Sequence, residues 1–491
     1  MKKKVFVILV LWMVLGALVF NGCKGKLPVL EKEKAIDLVE KINAVSTGFQ
    51  IGADISDVEI NADPKSSKKA PRYFITLLGP KLTFDSSVYK EINYPFPEFV
   101  LNFDCEKMVL HYGPEDNYLG LASVSGLNFE LNTDEMLIPS IEKMRESGKE
   151  IPKTVLKFNY GELSLDKLDI SPFLEEKVTL LELIMKVASL NKSLKTKLEK
   201  LNVEIISESK EKGTSQMNLS VNSIQSGQDT TADLVTLMFS QAEESKGKLI
   251  ELLEEPRTLF DVFIDAEGLS FSFKKEGKEK TEVYLDKIKL SEYLKPSKEK
   301  GFYNFGIALD LQGSNFISPE NKTLETLGKI KQFKKEFNVD HISPSLLQTY
   351  FEFIKKTQSL QMEGSNEASP DMAAFGLRMM TEVIESKLVI SFALSPLEHH
   401  FGKLEVEGKF DVQGVTTPPP GQATATLYDL AGLEDRILKE NIFPEEAVRK
   451  IMAFISNYFV QDKRGNGKLM FEVREEEPYI FLNDEPIKIG K

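Results

Sequence analysis

Few side chains in this sequence belong to the types that most often carry out chemistry in proteins. The 491 residues contain two cysteines, Cys23 and Cys105, and four histidines, which are His111, His341, His399 and His400. No pair of histidines has the helical spacing that places two imidazoles on one zinc ion, and no H-E-x-x-H motif occurs. His399 and His400 are adjacent at a predicted turn, an arrangement that favours a solvated pair whose rings point to opposite faces of a strand. We therefore expect no metal site and no cofactor.

Motifs for nucleophilic catalysis and for phosphate binding are missing as well. The sequence has no G-x-S-x-G, no G-x-x-x-x-G-K-[ST] and no G-x-G-x-x-G before a helix. S-x-x-K recurs at several places, for example Ser66 with Lys69 and Ser189 with Lys192, but its partner motifs are missing and the chain is rich in lysine. The sequence predicts that the protein is not an enzyme, with a hydrolase using dispersed carboxylates as the less favoured alternative.

Two acidic segments resemble functional sites only in part. Residues 462–467 look like the start of a calcium loop, but Arg464 occupies the third loop position and Val473 stands where the bidentate glutamate belongs. A turn that uses Asn466 and Gly467 is the better interpretation. Residues 475–477 are three glutamates between two predicted strands, which indicates a solvated hairpin turn. No carboxylate pair stands out for glycoside hydrolysis.

Cys23 is the residue whose surroundings predict a covalent modification. Lysines occupy positions 2–4, residues 5–20 are apolar, and Phe20-Asn21-Gly22 come directly before Cys23. A membrane-spanning helix needs about 20 apolar residues, and this run is shorter and ends in Asn-Gly. The segment resembles a bacterial lipoprotein signal peptide, with Phe20 to Cys23 at the lipobox. The resemblance implies cleavage after Gly22 and acylation of Cys23.

The same resemblance implies where the protein is located. An uncleaved or differently cleaved signal is the alternative, because Phe20 replaces the aliphatic residue usual in a lipobox. No twin arginine is present, so we expect export of the unfolded chain. Lys24 is not the aspartate that favours inner-membrane retention in enteric bacteria. We therefore expect an extracytoplasmic, lipid-anchored protein of the cell envelope, with the outer membrane preferred over the inner membrane.

Charge limits the classes of partner. The formal net charge is −13, and it becomes −16 when residues 1–22 leave with three lysines and no acidic residue. Such an acidic body argues against nucleic acid as a partner and against docking on anionic lipid surfaces. Attachment to the membrane should therefore come from acyl chains on Cys23. Cys105 is left without a partner for a disulfide, and its place on the apolar side of a strand predicts a buried, inert thiol.

Apolar residues alternate strictly with polar ones in many segments. This period of two predicts antiparallel strands with one covered and one solvated face at 99–105, 127–131, 303–311, 388–394 and 404–412. Spacing with a period near 3.6 predicts amphipathic helices at 36–42, 180–201, 234–239, 324–337, 346–354 and 448–459. The predicted fold class is α+β, with an antiparallel, elongated or curved sheet and interleaved amphipathic helices on one of its faces.

Length and composition predict the organisation of the chain. We expect a signal peptide at 1–22, a lipidated tether at 23–34, an N-terminal α+β region at 35–150, a central strand and helix region at 151–415 and a C-terminal α+β unit at 422–491. Residues 61–71 and 364–370 are predicted loops, and the proline-rich 416–421 either separates the last unit or decorates a hairpin. Residues 164–174 and 284–294 share five identities in eleven, which suggests a weak duplication.

The pattern of the body gives a first indication of function. From about residue 155 to the end, the alternation of strands and helices is similar in outline to the AsmA-like and tubular lipid-binding exported proteins. That resemblance has no diagnostic motif and assigns no residue. It implies binding of a lipid or another apolar ligand in a groove between sheet and helices. The alternative is a structural or assembly lipoprotein that acts through contacts with an envelope protein.

Overall fold

The computed structural model describes residues 29–45, 48–67, 69–88, 100–132, 153–175, 180–209, 213–230, 253, 257–362, 370–412, 419–430, 432–474 and 480–487. The helices are α1 (Lys32–Ala44), α2 (Leu180–Leu190), α3 (Lys322–Leu327), α4 (Pro344–Met362), α5 (Pro370–Ser386), α6 (Leu433–Glu440) and α7 (Glu445–Tyr458). Short 3-10 turns lie at Ile55–Asp57 and Ser171–Leu174.

Antiparallel strands make up most of the described chain. In order they are β1 (Phe49–Gly52), β2 (Val58–Ala62), β3 (Tyr73–Leu78), β4 (Lys81–Asp85), β5 (Val100–Asp104), β6 (Lys107–Gly113), β7 (Tyr118–Asn132), β8 (Lys153–Asp169), β9 (Ser193–Ser209), β10 (Gly213–Thr230), β11 (Phe260–Lys275), β12 (Thr281–Pro296), β13 (Tyr303–Ile317), β14 (Ile330–Ile342), β15 (Leu388–His399), β16 (Gly402–Val412), β17 (Gly421–Tyr428), β18 (Val460–Gln461), β19 (Gly467–Val473), β20 (Ile480–Leu482) and β21 (Glu485–Ile487).

The strands form a single sheet with a simple topology. From β7 to β17 each strand pairs with the next along the chain, and β17 then pairs with β19, which leads to β20 and β21. At the other end, β7 joins two short branches, β6–β3–β2 and β5–β4–β1. Among the described strands the two ends of the sheet do not meet, so the sheet is open. The predicted α+β class with an antiparallel sheet is confirmed.

The central strands are long, and each has two chemically different sides. Strands β8 to β13 contain 15 to 18 residues each. On one side apolar residues oppose each other, as Leu269 and Leu285 do across β11 and β12. On the other side Lys287 lies 3.0 Å from both Asp265 and Glu267. The apolar side is called the apolar face below.

Helices cover this sheet at two places. Near the N-terminus, Leu38 and Ile42 of α1 are buried in a core that includes Ile75, Leu77 and Leu110 of β3 and β6. A second core lies at one end of the long strands, where α4 and α5 pack. Its buried residues are Leu253, Leu259, Leu294, Tyr303, Ile342, Leu346, Leu347 and Leu388.

A line of irregular positions crosses the long strands. Lys200 in β9, Gly268 in β11 and Gly313 in β13 all adopt left-handed backbone conformations, with φ of 56°, 62° and 62°. The strands between them continue the line, because the register skips Asn222 opposite Gly268 and Asp286 opposite Gly313. The skipped positions interrupt the regular ladder, so this line divides the long strands into two regular segments.

Two helix predictions extended too far. The predicted helix 180–201 ends at Leu190, and Leu198 and Leu201 belong to β9. Their spacing of three is helical in a regular chain, but the left-handed residue Lys200 between them breaks the alternation of β9, and both leucines pack against the same core. The predicted helix 324–337 is also wrong beyond Leu327, because a spacing of four, as between Phe333 and Phe337, fits a strand as well as a helix.

Other predicted elements have the expected type. Helices cover 36–42, 346–354 and most of 448–459, where α7 ends at Tyr458, and strands cover 303–311, 388–394 and 404–412. The first helix begins at Lys32, inside the predicted tether. The predicted loop 61–71 overlaps β2 at residues 61 and 62, and its other described residues lie between β2 and β3. Of the predicted connector 416–421, residues 416–418 lie outside the described residues and Gly421 begins β17, which pairs directly with β16. The predicted helix 234–239, nearly all of the loop 364–370 and the signal peptide lie outside the described residues.

Candidate ligand-binding face

The middle of the apolar face carries large apolar side chains that no described element covers. Ile264 on β11, Leu290 on β12 and Ile307 on β13 are 44%, 38% and 37% exposed. Ile264 and Leu290 are direct cross-strand partners, and Ile307 lies on the next strand, beside the Leu290 partner Leu309. Since neighbouring strands are only about 4.8 Å apart, the three side chains form one continuous surface, which is called the open patch below.

The exposure begins where the second core ends. Leu294 and Tyr303, on the same two strands as Leu290 and Ile307, are 4% and 1% exposed. Leu294 lies only four residues from Leu290, on the same side of β12. One end of the long strands is therefore closed by helices, while the surface beside it stays open. Burying such an apolar surface is worth about 25 cal/mol per Å², which makes it a favourable site for an apolar ligand.

Two ionisable side chains lie in the middle of this face. Glu292 of β12 opposes Val262 and Ile307, and Lys335 of β14 opposes Leu309 and Leu394. Among the described residues no ion pair involves Lys335, which is exposed. The neighbouring Lys334 points to the opposite side of the sheet, where its Nζ lies 3.3 Å from Asp310 Oδ2.

Aromatic residues continue the face toward the C-terminus. Phe392 of β15 stacks on Phe410 of β16, with ring centroids 6.2 Å apart and planes inclined by 10°. Phe410 in turn lies 6.2 Å from Phe471 of β19. These half-buried rings on β15, β16 and β19 extend the apolar surface beyond the open patch.

The histidine pair differs from its prediction. His399 and His400 do not point to opposite faces, because the two residues end β15 and begin the turn to β16, and their ring centroids are 4.1 Å apart. The Nε2 atom of His399 lies 3.0 Å from the Thr326 carbonyl oxygen, and its Nδ1 accepts a hydrogen bond from the Phe401 N–H at 3.3 Å. Burial lowers the pKa of His399. With both ring nitrogens occupied, this imidazole is a structural group that links the turn to α3.

No alternative metal centre emerges from the described part of the chain. That part contains no cluster of three or more histidine, cysteine, aspartate and glutamate residues able to hold a metal ion. His111 and His341 are far apart in the fold, and each lies beside one carboxylate, Asp63 and Glu299 respectively, at 3.2 Å. Each contact joins one histidine to one carboxylate, which is too few ligands for a metal site, and burial lowers the pKa of His111.

The segment that looks like a calcium loop is a hairpin turn between β18 and β19. The Asp462 carboxylate accepts hydrogen bonds from the N–H groups of Arg464 and Asn466, at 2.7 and 2.9 Å, and these bonds lower its pKa. The turn was predicted to use Asn466 and Gly467, and its left-handed residue is Gly465, with φ of 84°. The carboxylate is therefore used by the turn itself, and residues 475–477 lie outside the described residues.

Cys105 has the predicted environment. The residue is 5% exposed within the N-terminal core, and its thiol donates toward the carbonyl oxygens of Lys107 and Ser125 at 3.3 and 3.4 Å. Burial raises the pKa of this thiol, which disfavours the reactive thiolate. Cys23, the predicted site of lipidation, lies outside the described residues.

Sequence reasoning missed Lys335 and the open patch. The signal was present as Phe333-Lys-Lys335-Glu-Phe337, in which a lysine takes an apolar position of the alternation. The pattern was interpreted as a helix, so the two lysines were not assigned to opposite faces. Exposure could not be predicted, because it depends on where α4 and α5 pack.

Comparison with known protein families, curated proteins and solved structures found no match to this chain. Within the described residues, no helix has the length and apolar character needed to cross a membrane.

Proposed function

We propose that this protein is a lipid-anchored protein of the cell envelope that binds a lipid or another apolar ligand on the apolar face of its sheet. The observation that carries the proposal is the open patch of Ile264, Leu290 and Ile307 beside a closed core. Isolated exposed apolar residues are common on proteins, but a continuous patch on adjacent strands is typical of binding surfaces. Acyl chains on Cys23 would hold this face close to a membrane that supplies the ligand.

Native mass spectrometry tests the proposal directly. A soluble form that begins at Lys24 contains every described residue and lacks the acyl chains. We expect this form to retain lipid through purification, seen as an added mass that organic extraction removes. A protein that stays at its calculated mass, and that also fails to bind added lipid, would contradict the proposal.

A matched pair of variants locates the ligand. Leu290→Ser changes the open patch, whereas Ser291→Ala changes the next residue, which faces the other side of the same strand. Lipid should be lost from the first variant and kept by the second. Equal retention by both variants would place the lipid elsewhere on the protein.

A second candidate function, assembly through a protein partner, is favoured by the outer side of α7. Ile451, Phe454 and Tyr458 are 43%, 55% and 40% exposed, and the rings of Phe454 and Tyr458 lie 4.8 Å apart. Val448 and Ile455 on the inner side are buried, so the helix has a second apolar stripe that its own packing does not use. A photocrosslinking residue at position 454 should capture one envelope protein in intact cells, and the same probe at the buried position 448 should not.

A further inference from the structure

Lys335 is a cation placed among apolar side chains. Along β14 its neighbours on the same face are Phe333 and Phe337, and across the sheet it opposes Leu309 and Leu394. The side chain is exposed, and none of the ion pairs among the described residues includes it. A charge held beside apolar surface is stabilised when an anion reaches it, because these four neighbouring side chains carry no hydrogen-bond acceptor.

The same row of the sheet leads from Lys335 to the open patch. Lys335 opposes Leu309, Leu309 opposes Leu290, and Leu290 opposes Ile264. With a strand spacing of about 4.8 Å, this row is roughly 14 Å long. It is a straight apolar track that begins at a cation, and its width suits one extended hydrocarbon chain.

The track ends where the row becomes polar. Beyond Ile264 the next partner is Ser226 of β10, whose hydroxyl lies 2.5 Å from that of Thr196 in β9. In the opposite direction from Lys335, Leu394 is less exposed than Leu290. A chain that starts at Lys335 therefore finds its open apolar surface toward β11.

Glu292 limits where the charged end of a ligand can lie. This carboxylate is two residues from Leu290 on the same face of β12. It therefore lies in the row beside the track, between the track and the second core. Its charge repels an anion at that side and leaves Lys335 as the favourable position. The face thus has one cationic end and one anionic edge.

We propose that the ligand is an acyl lipid with an anionic headgroup, whose negatively charged oxygens bind Lys335 while its acyl chain lies over Leu309, Leu290 and Ile264. This inference rests on the proposed lipid-binding function and gives the ligand a charge and a direction. Lys335 acts as a specificity residue, since it distinguishes anionic from neutral lipids of the same chain length.

Dodecanoate and methyl dodecanoate test this assignment, because they share a chain and differ in charge. In equilibrium dialysis the form that begins at Lys24 should bind dodecanoate about tenfold more tightly than the ester, as expected for a hydrogen bond between charged groups. Acetate, an anion without a chain, should not compete.

Three variants assign the preference to one residue. Lys335→Met should remove the preference for dodecanoate and keep the affinity for the ester within about twofold. Lys334→Met, the neighbouring lysine on the opposite face, should keep the preference, and Glu292→Gln should increase it. Thermal unfolding of each variant checks that the fold is intact.

The outcomes separate the two proposals. Ester binding that persists with an unchanged preference in Lys335→Met would overturn this assignment and leave the lipid-binding function standing. A preference lost equally in Lys334→Met would also overturn it, since the effect would then reflect net charge. Failure of the unmodified protein to bind either compound would contradict both proposals.

Discussion

Ile264 and Leu290 are direct partners on adjacent strands, and they are 44% and 38% exposed in the middle of the apolar face. Partners of this kind usually stabilise a sheet by packing under another layer. Here the covering layer ends at Leu294, four residues away. The pair therefore contributes less to folding than its apolar character suggests, and it is available to a ligand.

This relationship predicts that binding and stability separate at Leu290. Leu290→Thr should weaken lipid binding at least about fivefold and change the free energy of unfolding by less than about 1 kcal/mol, because the side chain is already partly solvated. Leu294→Ala, in the buried core of the same strand, should cost about 2–5 kcal/mol. Urea denaturation and dialysis on both variants provide the measurements, and equal destabilisation would mean that Leu290 is an ordinary core residue.

Asn191 should be among the polar residues most important for stability. The side chain is 7% exposed, accepts from the Asp169 N–H and donates to the carbonyl oxygens of Asp169 and Val187, all at 2.7 Å. It thereby joins the end of α2 to the end of β8. Asn191→Ala removes the side-chain partners of the Asp169 N–H and carbonyl groups, whereas the Val187 carbonyl oxygen keeps the Asn191 backbone N–H at 3.1 Å. The variant should lower the free energy of unfolding by about 2–4 kcal/mol.

An exposed hydrogen bond in the same helix provides the control for Asn191. The Ser189 hydroxyl donates to the Lys186 carbonyl oxygen at 2.8 Å in an exposed position. Ser189→Ala should cost less than about 1 kcal/mol in the same urea titration, since water replaces the lost partner. Similar losses in both variants would show that Asn191 is no more than a local helix cap.

The sequence predicted the sheet better than it predicted the helices or the site. Alternation at 303–311 and 404–412 requires only local geometry and one covered face, so the strands could be identified. The error at 180–201 came from the left-handed residue Lys200, which breaks the alternation of β9 in a way that no simple period describes. The role of Lys335 depended on the strand register and on where helices leave the face open, and both are tertiary properties.

The line of irregular positions across the long strands predicts an intolerant glycine. A Cβ atom at Gly268 would collide with the Asn222 side chain, and the residue also has φ of 62°. Gly268→Ala should therefore destabilise the protein by about 2–4 kcal/mol, the sum of backbone strain and the displaced neighbour. Thermal or urea unfolding measures the loss.

Gly277 is the matched control for Gly268, because it has a similar φ of 72° but open space around the added Cβ. Gly277→Ala should show the backbone strain alone, about 1 kcal/mol. If the two variants lost the same stability, the close approach of Asn222 would not contribute.

Stability should decrease when the pH falls through the range in which free histidine titrates. Burial lowers the pKa values of His111, His399 and His400 in the folded protein below the ordinary 6.5. Below that pH the unfolded chain binds more protons than the folded one, so the free energy of unfolding falls as the solution becomes more acidic. The carboxylates whose pKa values are lowered in the folded protein also reduce stability on acidification, but only at lower pH. Their effect is therefore separate from that of the histidines.

Urea titrations between about pH 7.5 and about pH 5.5 measure this dependence. His399→Gln removes one titrating group while offering an amide to the Thr326 carbonyl oxygen, and it should reduce the slope. A slope that is absent in the unmodified protein, or unchanged in the variant, would show that His399 has the same proton affinity in both states.

The single tryptophan of the chain provides a test of anchoring by Cys23. The only tryptophan of the chain is Trp12, so cleavage before Cys23 yields a mature protein without tryptophan fluorescence. Cys23→Ala should abolish incorporation of labelled palmitate and remove the protein from the membrane fraction, because the acidic body provides no other attachment. Cys105→Ala, which changes the other cysteine in the buried core, should keep both the palmitate label and the membrane location. A membrane-bound product that retains tryptophan emission would mean that the apolar segment is never removed and itself holds the protein in place.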